Sequence, residues 1–133
     1  MKIVLACNAF KGCLSALEAN KALQRGLKEH VPDACVRIVP MADGGDGLLE
    51  VIVDAMGACV ERRHVAGPFG DSVEADFAVI ADRKFAAIEM ALASGIALIA
   101  PEDLDPLRAT TFGTGQLVLE ALNMGAKHIV VGL

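Results

Sequence analysis

Ile3-Val-Leu-Ala-Cys-Asn-Ala-Phe-Lys-Gly-Cys-Leu-Ser-Ala-Leu-Glu18 compresses a strand, a polar loop and a helix start into one stretch. Ile3–Cys7 is a continuous apolar run, the pattern of a strand covered on both faces. Ser15 and Glu18 have capping-box spacing, in which the hydroxyl accepts from one free helical N–H and the carboxylate reaches back to another. Leu14, Leu17, Ala22, Leu23, Gly26 and Leu27 then fall on one helical face, and Pro32-Asp33 ends the segment. A β-loop-α unit of this kind predicts an α/β fold.

The rest of the chain extends the pattern. Val36–Val39 reads as a strand closed by Pro40. Met41-Ala-Asp-Gly-Gly-Asp-Gly47 follows, then a helix over Leu48–Met56 stopped by Gly57. In the middle, Val73, Ala75, Phe77 and Val79 alternate with Glu74, Asp76 and Ala78, a half-exposed strand. With strands over Val60–Val65 and Phe85–Met90, the links are too short for parallel crossovers, so this segment is antiparallel. The last third predicts a helix over Ala91–Ile99 interrupted by Gly95, and a loop over Pro101–Arg108. Thr110-Thr-Phe-Gly-Thr-Gly115 then opens a helix over Gln116–Asn123, and a buried strand follows over His128–Leu133. The fold class is α/β, with Rossmann-like or flavodoxin-like layers of parallel strands around an antiparallel β segment. The expected portions are 1–57, 58–90 and 91–133, and they could equally form one compact unit.

Composition narrows the function classes. The chain has 133 residues, near the ~150 of one domain. Its 54% apolar content excludes a disordered chain, and its net charge of −5 excludes the field of a general nucleic-acid binder. The longest run free of acidic and basic residues, Met90–Pro101, falls short of the ~18 apolar residues of a membrane span. The N-terminus lacks the longer apolar region and cleavage site of a signal peptide, so a cytoplasmic protein is expected. Cys7, Cys13, Cys35 and Cys59 form no Cys-x-x-Cys pair and are expected as buried, reduced thiols.

Three loops and one fainter cluster could carry chemistry, each lying between a strand end and a helix start, where α/β sheets bind ligands. In the first, Asn8–Cys13, Lys11 suits a carboxylate or phosphate, with Gly12 permitting close approach; a solvated loop lysine fits the same pattern. In the second, Asp43-Gly-Gly-Asp-Gly47, Asp43 and Asp46 could hold Mg²⁺ or accept from substrate hydroxyls; a tight turn with a helix N-cap fits too. In the third, Thr111, Gly113 and Thr114 could present hydroxyls and N–H groups to an anion, or Thr114 could be a simple N-cap. Glu89 with Ser94-Gly95 is the fourth, although Glu89 also fits the exposed side of a strand. Neither G-x-x-x-x-G-K-[ST] nor G-x-G-x-x-G occurs, and His30, His64 and His128 are too scattered to suggest a triad.

Together these segments resemble the bacterial-type glycerate kinases. The resemblance is carried by Phe10-Lys-Gly12 before Leu14-Ser-Ala-Leu-Glu-Ala19, Val39-Pro-Met-Ala-Asp-Gly-Gly45, Gly67-Pro68, Ile88-Glu-Met-Ala91 with Ala93-Ser-Gly95, and Thr110-Thr-Phe-Gly-Thr-Gly115. It runs over the whole chain in order, and Pro-Met-Ala-Asp-Gly-Gly is its most specific motif. It implies transfer of the ATP γ-phosphoryl group to a hydroxyl of D-glycerate, with Mg²⁺. Lys11 and Asp43 are then the candidate catalytic residues. Asn8, Lys11, Gly44, Gly45, Glu89, Ser94, Thr111, Gly113 and Thr114 are candidates for substrate binding, and Asp43 and Asp46 for metal. Where the family reads Pro-Asp-Ser-Phe-Lys-Gly-Ser, this chain reads Cys7-Asn-Ala-Phe-Lys-Gly-Cys13, so Asn8 stands in place of an acid. Family members continue past the strand matching Ile129–Leu133 into a second glycine-rich loop. The expectation is an N-terminal portion of a two-domain kinase, inactive alone, with self-association or a complementing partner chain. The alternative is a non-catalytic binding module for small molecules or anions. A receiver-like domain is disfavoured because Ala6-Cys7-Asn8 lacks the expected acid pair.

Overall fold

The computed structural model describes residues 1–133 as a mixed α/β chain with two sheets. β1 (Lys2–Leu5) and β2 (Cys35–Ile38) pair in parallel, joined by helix α1 (Ala16–His30). The second sheet runs in the order β3 (Cys59–Ala66), β4 (Ser72–Ile80), β5 (Phe85–Glu89), β6 (His128–Gly132). β3–β4 and β4–β5 are antiparallel, and β5–β6 is parallel. Helix α2 (Leu48–Met56) precedes this sheet. A single turn α3 (Ala91–Ser94) and helix α4 (Phe112–Asn123) connect β5 to β6.

The core lies on both faces of this four-stranded sheet. Alternation along β4 sends Ala75, Phe77 and Val79 into a cluster with Ile88, Ala93, Leu117 and Ala121, beneath α3 and α4. Ala78 and Ile80 join Ala58 and Ala87 on the opposite face, where Leu49, Ile52, Val53 and Met56 of α2 cover them. Phe77, Ile88 and Leu117 are fully buried, each worth about 1.5–3 kcal/mol of transfer free energy. Ion pairing adds to the seam, with Arg63 of β3 donating to Glu120 of α4 at 3.0 Å. Strands from segments 58–90 and 91–133 therefore share one sheet, and the helix of segment 1–57 packs on it.

Several expectations are corrected. β1 is covered on one side only: Val4 is 63% exposed, because α1 lies on a two-stranded sheet whose other face is open. β6 is half-exposed rather than buried, since it is the edge strand beside β5. The apolar run Ala91–Ile99 gives one helical turn, then a 3₁₀ turn over Ile96–Leu98. Gly95, extended at ψ 154°, separates them, and a Cβ there would collide with the Ala91 backbone. The cysteines are free, but Cys13, Cys35 and Cys59 are exposed. No helix is long and apolar enough to cross a membrane.

Candidate functional site

A cleft of about 900 Å³ opens beyond the carboxyl end of β5. One wall is the first loop. Cys13 and Leu14 donate to the Phe10 carbonyl, Phe10 donates to the Leu14 carbonyl, and Gly12 takes φ +70°, so Lys11 sits at the tip of a tight turn. Asn8 also lines the cleft, its side chain accepting from Ala9 N–H at 2.7 Å.

This loop is anchored by a residue that sequence reasoning missed. Asn20 is fully buried in α1. Its Oδ1 accepts from Cys7 N–H at 3.1 Å, and its Nδ2 donates to the carbonyls of Cys7 at 3.1 Å and Ala16 at 2.7 Å. An asparagine inside a helix is itself the available signal, since its side chain competes for backbone groups and disfavours helix interiors.

The second wall is the Asp43–Gly47 loop, in which Asp43, Gly45 and Asp46 line the cleft. Asp43 Oδ1 accepts from Gly45 N–H at 3.3 Å, and Gly44 and Gly47 take φ +107° and +90°. Gly44 faces β6 instead: a Cβ on Gly132 would overlap the Gly44 carbonyl oxygen. At the start of α2, Glu89 Oε1 accepts from Gly47 N–H at 3.1 Å, and Oε2 accepts from Leu49 N–H at 2.9 Å. Glu89 is therefore not on an exposed strand side; it is 5% exposed.

The third motif behaves differently. α4 begins at Phe112, not Gln116, so Thr114 lies inside the helix and is not its N-cap. Thr111 precedes the helix without a side-chain capping bond. Gly113 is required by packing: its Cα approaches the Ala66 carbonyl so closely that a Cβ would overlap that oxygen. Gly113, read as part of an anion-binding loop, instead seats a helix on β3, with Gln116 accepting from Ala66 N–H at 2.7 Å. Thr111, Gly113 and Thr114 do not line the cleft. The link is indirect: Thr114 Oγ1 lies 2.8 Å from the hydroxyl of Ser94, which does line it.

The electrostatics follow from these positions. Lys11 is the one basic side chain lining the cleft, facing Asp43, Asp46, Glu74 and Glu89. Side chains already engage two of the nearby helix starts. α1 is closed by Ser15 and Glu18, whose capping box is formed, and α2 by Glu89. Lys11 supplies the positive charge that attracts an anion, and the carboxylates that share the cleft can accept from a hydroxyl. No group of three or more His, Cys, Asp or Glu side chains converges to hold a metal ion. Asp43 and Asp46 alone match the one or two carboxylates that Mg²⁺ takes when substrate phosphates complete its shell.

Parallel strands ending at a cleft, with one cation set among carboxylates, define an α/β protein of the kind whose ligand sites lie beyond the carboxyl ends of its strands. The comparisons with known proteins make this specific. The profile of the Glycerate kinase family matches residues 3–133, and the chain belongs to that family. It is 44% identical to a glycerate kinase of Halalkalibacterium halodurans, covering 98% of this chain and 34% of that protein. It is also 44% identical to the glycerate 2-kinase of Escherichia coli, over 100% of this chain and 35% of that protein. A crystal structure from Salmonella typhimurium LT2, described as a glycerate kinase 2, superposes with TM-score 0.82 at 42% identity. It matches 99% of this chain and 36% of that one. The chain spans about a third of the length of the curated relatives it matches.

Proposed function

We propose that the chain supplies the substrate-acid side of a cytoplasmic glycerate kinase. In that reaction a hydroxyl oxygen of D-glycerate forms a bond to the γ-phosphorus of ATP. The bond from that phosphorus to the ADP oxygen breaks, and the hydroxyl proton is released. Such chemistry needs positioning and charge neutralisation more than covalent catalysis. Lys11 holds the carboxylate or the transferring phosphoryl group, and Asp43 accepts from a substrate hydroxyl. Asn8, Gly45 and Ser94 complete the polar lining. Asp43 and Asp46 would hold Mg²⁺ together with nucleotide phosphates, and the ion would neutralise developing charge.

The carrying observation is that Lys11 from one loop and Asp43 and Asp46 from another line one cleft. Thr114 acts from behind it, through Ser94. The chain alone is expected to bind D-glycerate without turnover, which requires the nucleotide-binding remainder of the family's enzyme, in the same chain or a complementing one. Titration calorimetry with D-glycerate tests this. Lys11→Ala should weaken binding by about tenfold or more, as expected for a lost hydrogen bond to a charged group. Unchanged affinity in Lys11→Ala would overturn the role of Lys11, and no binding by the unaltered chain would overturn the glycerate reading. Binding that is equally tight for unrelated small anions would favour a general anion-binding module.

A further inference from the structure

We infer that Glu89 is a positioning residue, holding the Asp43–Gly47 loop over the cleft by capping α2 from a distant strand. The inference rests on reading the cleft as the glycerate site.

The N-cap of α2 is Gly47, which has no side chain to satisfy the free N–H groups of the first turn. Its φ of +90° favours glycine, so a serine or aspartate cap is unfavourable there. The cap is instead supplied by Glu89, 42 residues later, at the last position of β5. Both carboxylate oxygens are engaged, one by Gly47 N–H and one by Leu49 N–H. A buried carboxylate needs such partners, and no buried side-chain polar atom in the chain lacks one. The paired position of Glu89 on β6 is Gly132, whose Cα abuts the Gly44 carbonyl. The loop bearing Asp43 and Asp46 is thus fixed at one end by hydrogen bonds to β5 and at the other by contact with β6. A ligand in the cleft meets Asp43 and Asp46 at places that Glu89 sets.

The test uses the full chain with Glu89→Gln, of equal size but with an amide nitrogen that cannot accept from an N–H. Amide resonances of Gly47 and Leu49 should shift, their hydrogen exchange should accelerate, and the D-glycerate dissociation constant should rise about tenfold, the scale of a lost bond to a charged group. Amides of β4 should stay in place. If affinity falls while the Gly47 and Leu49 amides are unmoved, Glu89 touches the ligand directly and the inference is wrong. It is equally wrong if the amides move and affinity does not. If the unaltered chain fails to bind D-glycerate, the glycerate reading fails by itself. Glu89 is then judged on the ligand-free amides, which must move if it holds the loop. Should Glu89→Gln not fold, Glu89→Asp keeps the charge one methylene short and answers the same measurements.

Discussion

Arg62 and Asp76 face each other across β3 and β4, with guanidinium nitrogens 2.7 and 2.9 Å from the two carboxylate oxygens. Hydrogen bonding to Arg62, reinforced by its charge, holds the Asp76 carboxyl below its ordinary value. The stability this contributes is present above the ordinary carboxylate range. It is lost as pH falls through the lowered folded value. Arg62→Ala should return the Asp76 midpoint toward its ordinary value, readable from its carboxyl carbon shift. It should destabilise the protein slightly near neutrality and not at all in strong acid, where the carboxyl is protonated in both states. Gly113 sets a different demand. A methyl there meets a backbone oxygen that cannot rotate away, so Gly113→Ala should cost about 1–3 kcal/mol in a denaturant titration. A free anion-binding loop would tolerate the change.

At the scale of elements, legibility depended on whether a signal was local. α2 ends at Gly57, which takes φ +64°, and the Ser15–Glu18 box begins α1, because both are short-range backbone rules. The short links marked β3, β4 and β5 as antiparallel, whereas the alternation of β4 predicted a half-exposed strand and the structure covers both faces of its last residues, the second by α2. The loops with Lys11, Asp43 and Asp46 were also legible, since charge beside glycine is visible in a sequence, and the fold brings them together. Thr110–Gly115 was misread because glycine marks a turn and a close approach alike, and only the position of β3 separates the two. The role of Glu89 could not be read, since its partners lie in another element. Asn20 belongs to the same class. Two of its three bonds join α1 to Cys7, just past β1, and the third stays within α1, so Asn20→Ala should orphan the Cys7 N–H and carbonyl. We expect a loss of about 2–4 kcal/mol in thermal unfolding, with faster exchange over Asn8–Cys13.

For the whole molecule, the two sheets differ in what supports them. The four-stranded sheet has packed faces, whereas β1, α1 and β2 pack mainly on one another, with Val4 and Leu23 left exposed. Native-state hydrogen exchange should therefore show β1 and β2 opening at lower free energy than β4 and β5. Equal protection in both sheets would contradict this. The cap on α2 also has a consequence in time. A ribosome adds roughly 5–20 residues per second, so α2 is synthesised seconds before the carboxylate that closes its first turn. Released chains ending just before residue 89 should leave the Asp43–Leu49 region open to protease, and the full chain should not. The order of synthesis thus makes the loop with Asp43 and Asp46 wait for the strand that will hold it.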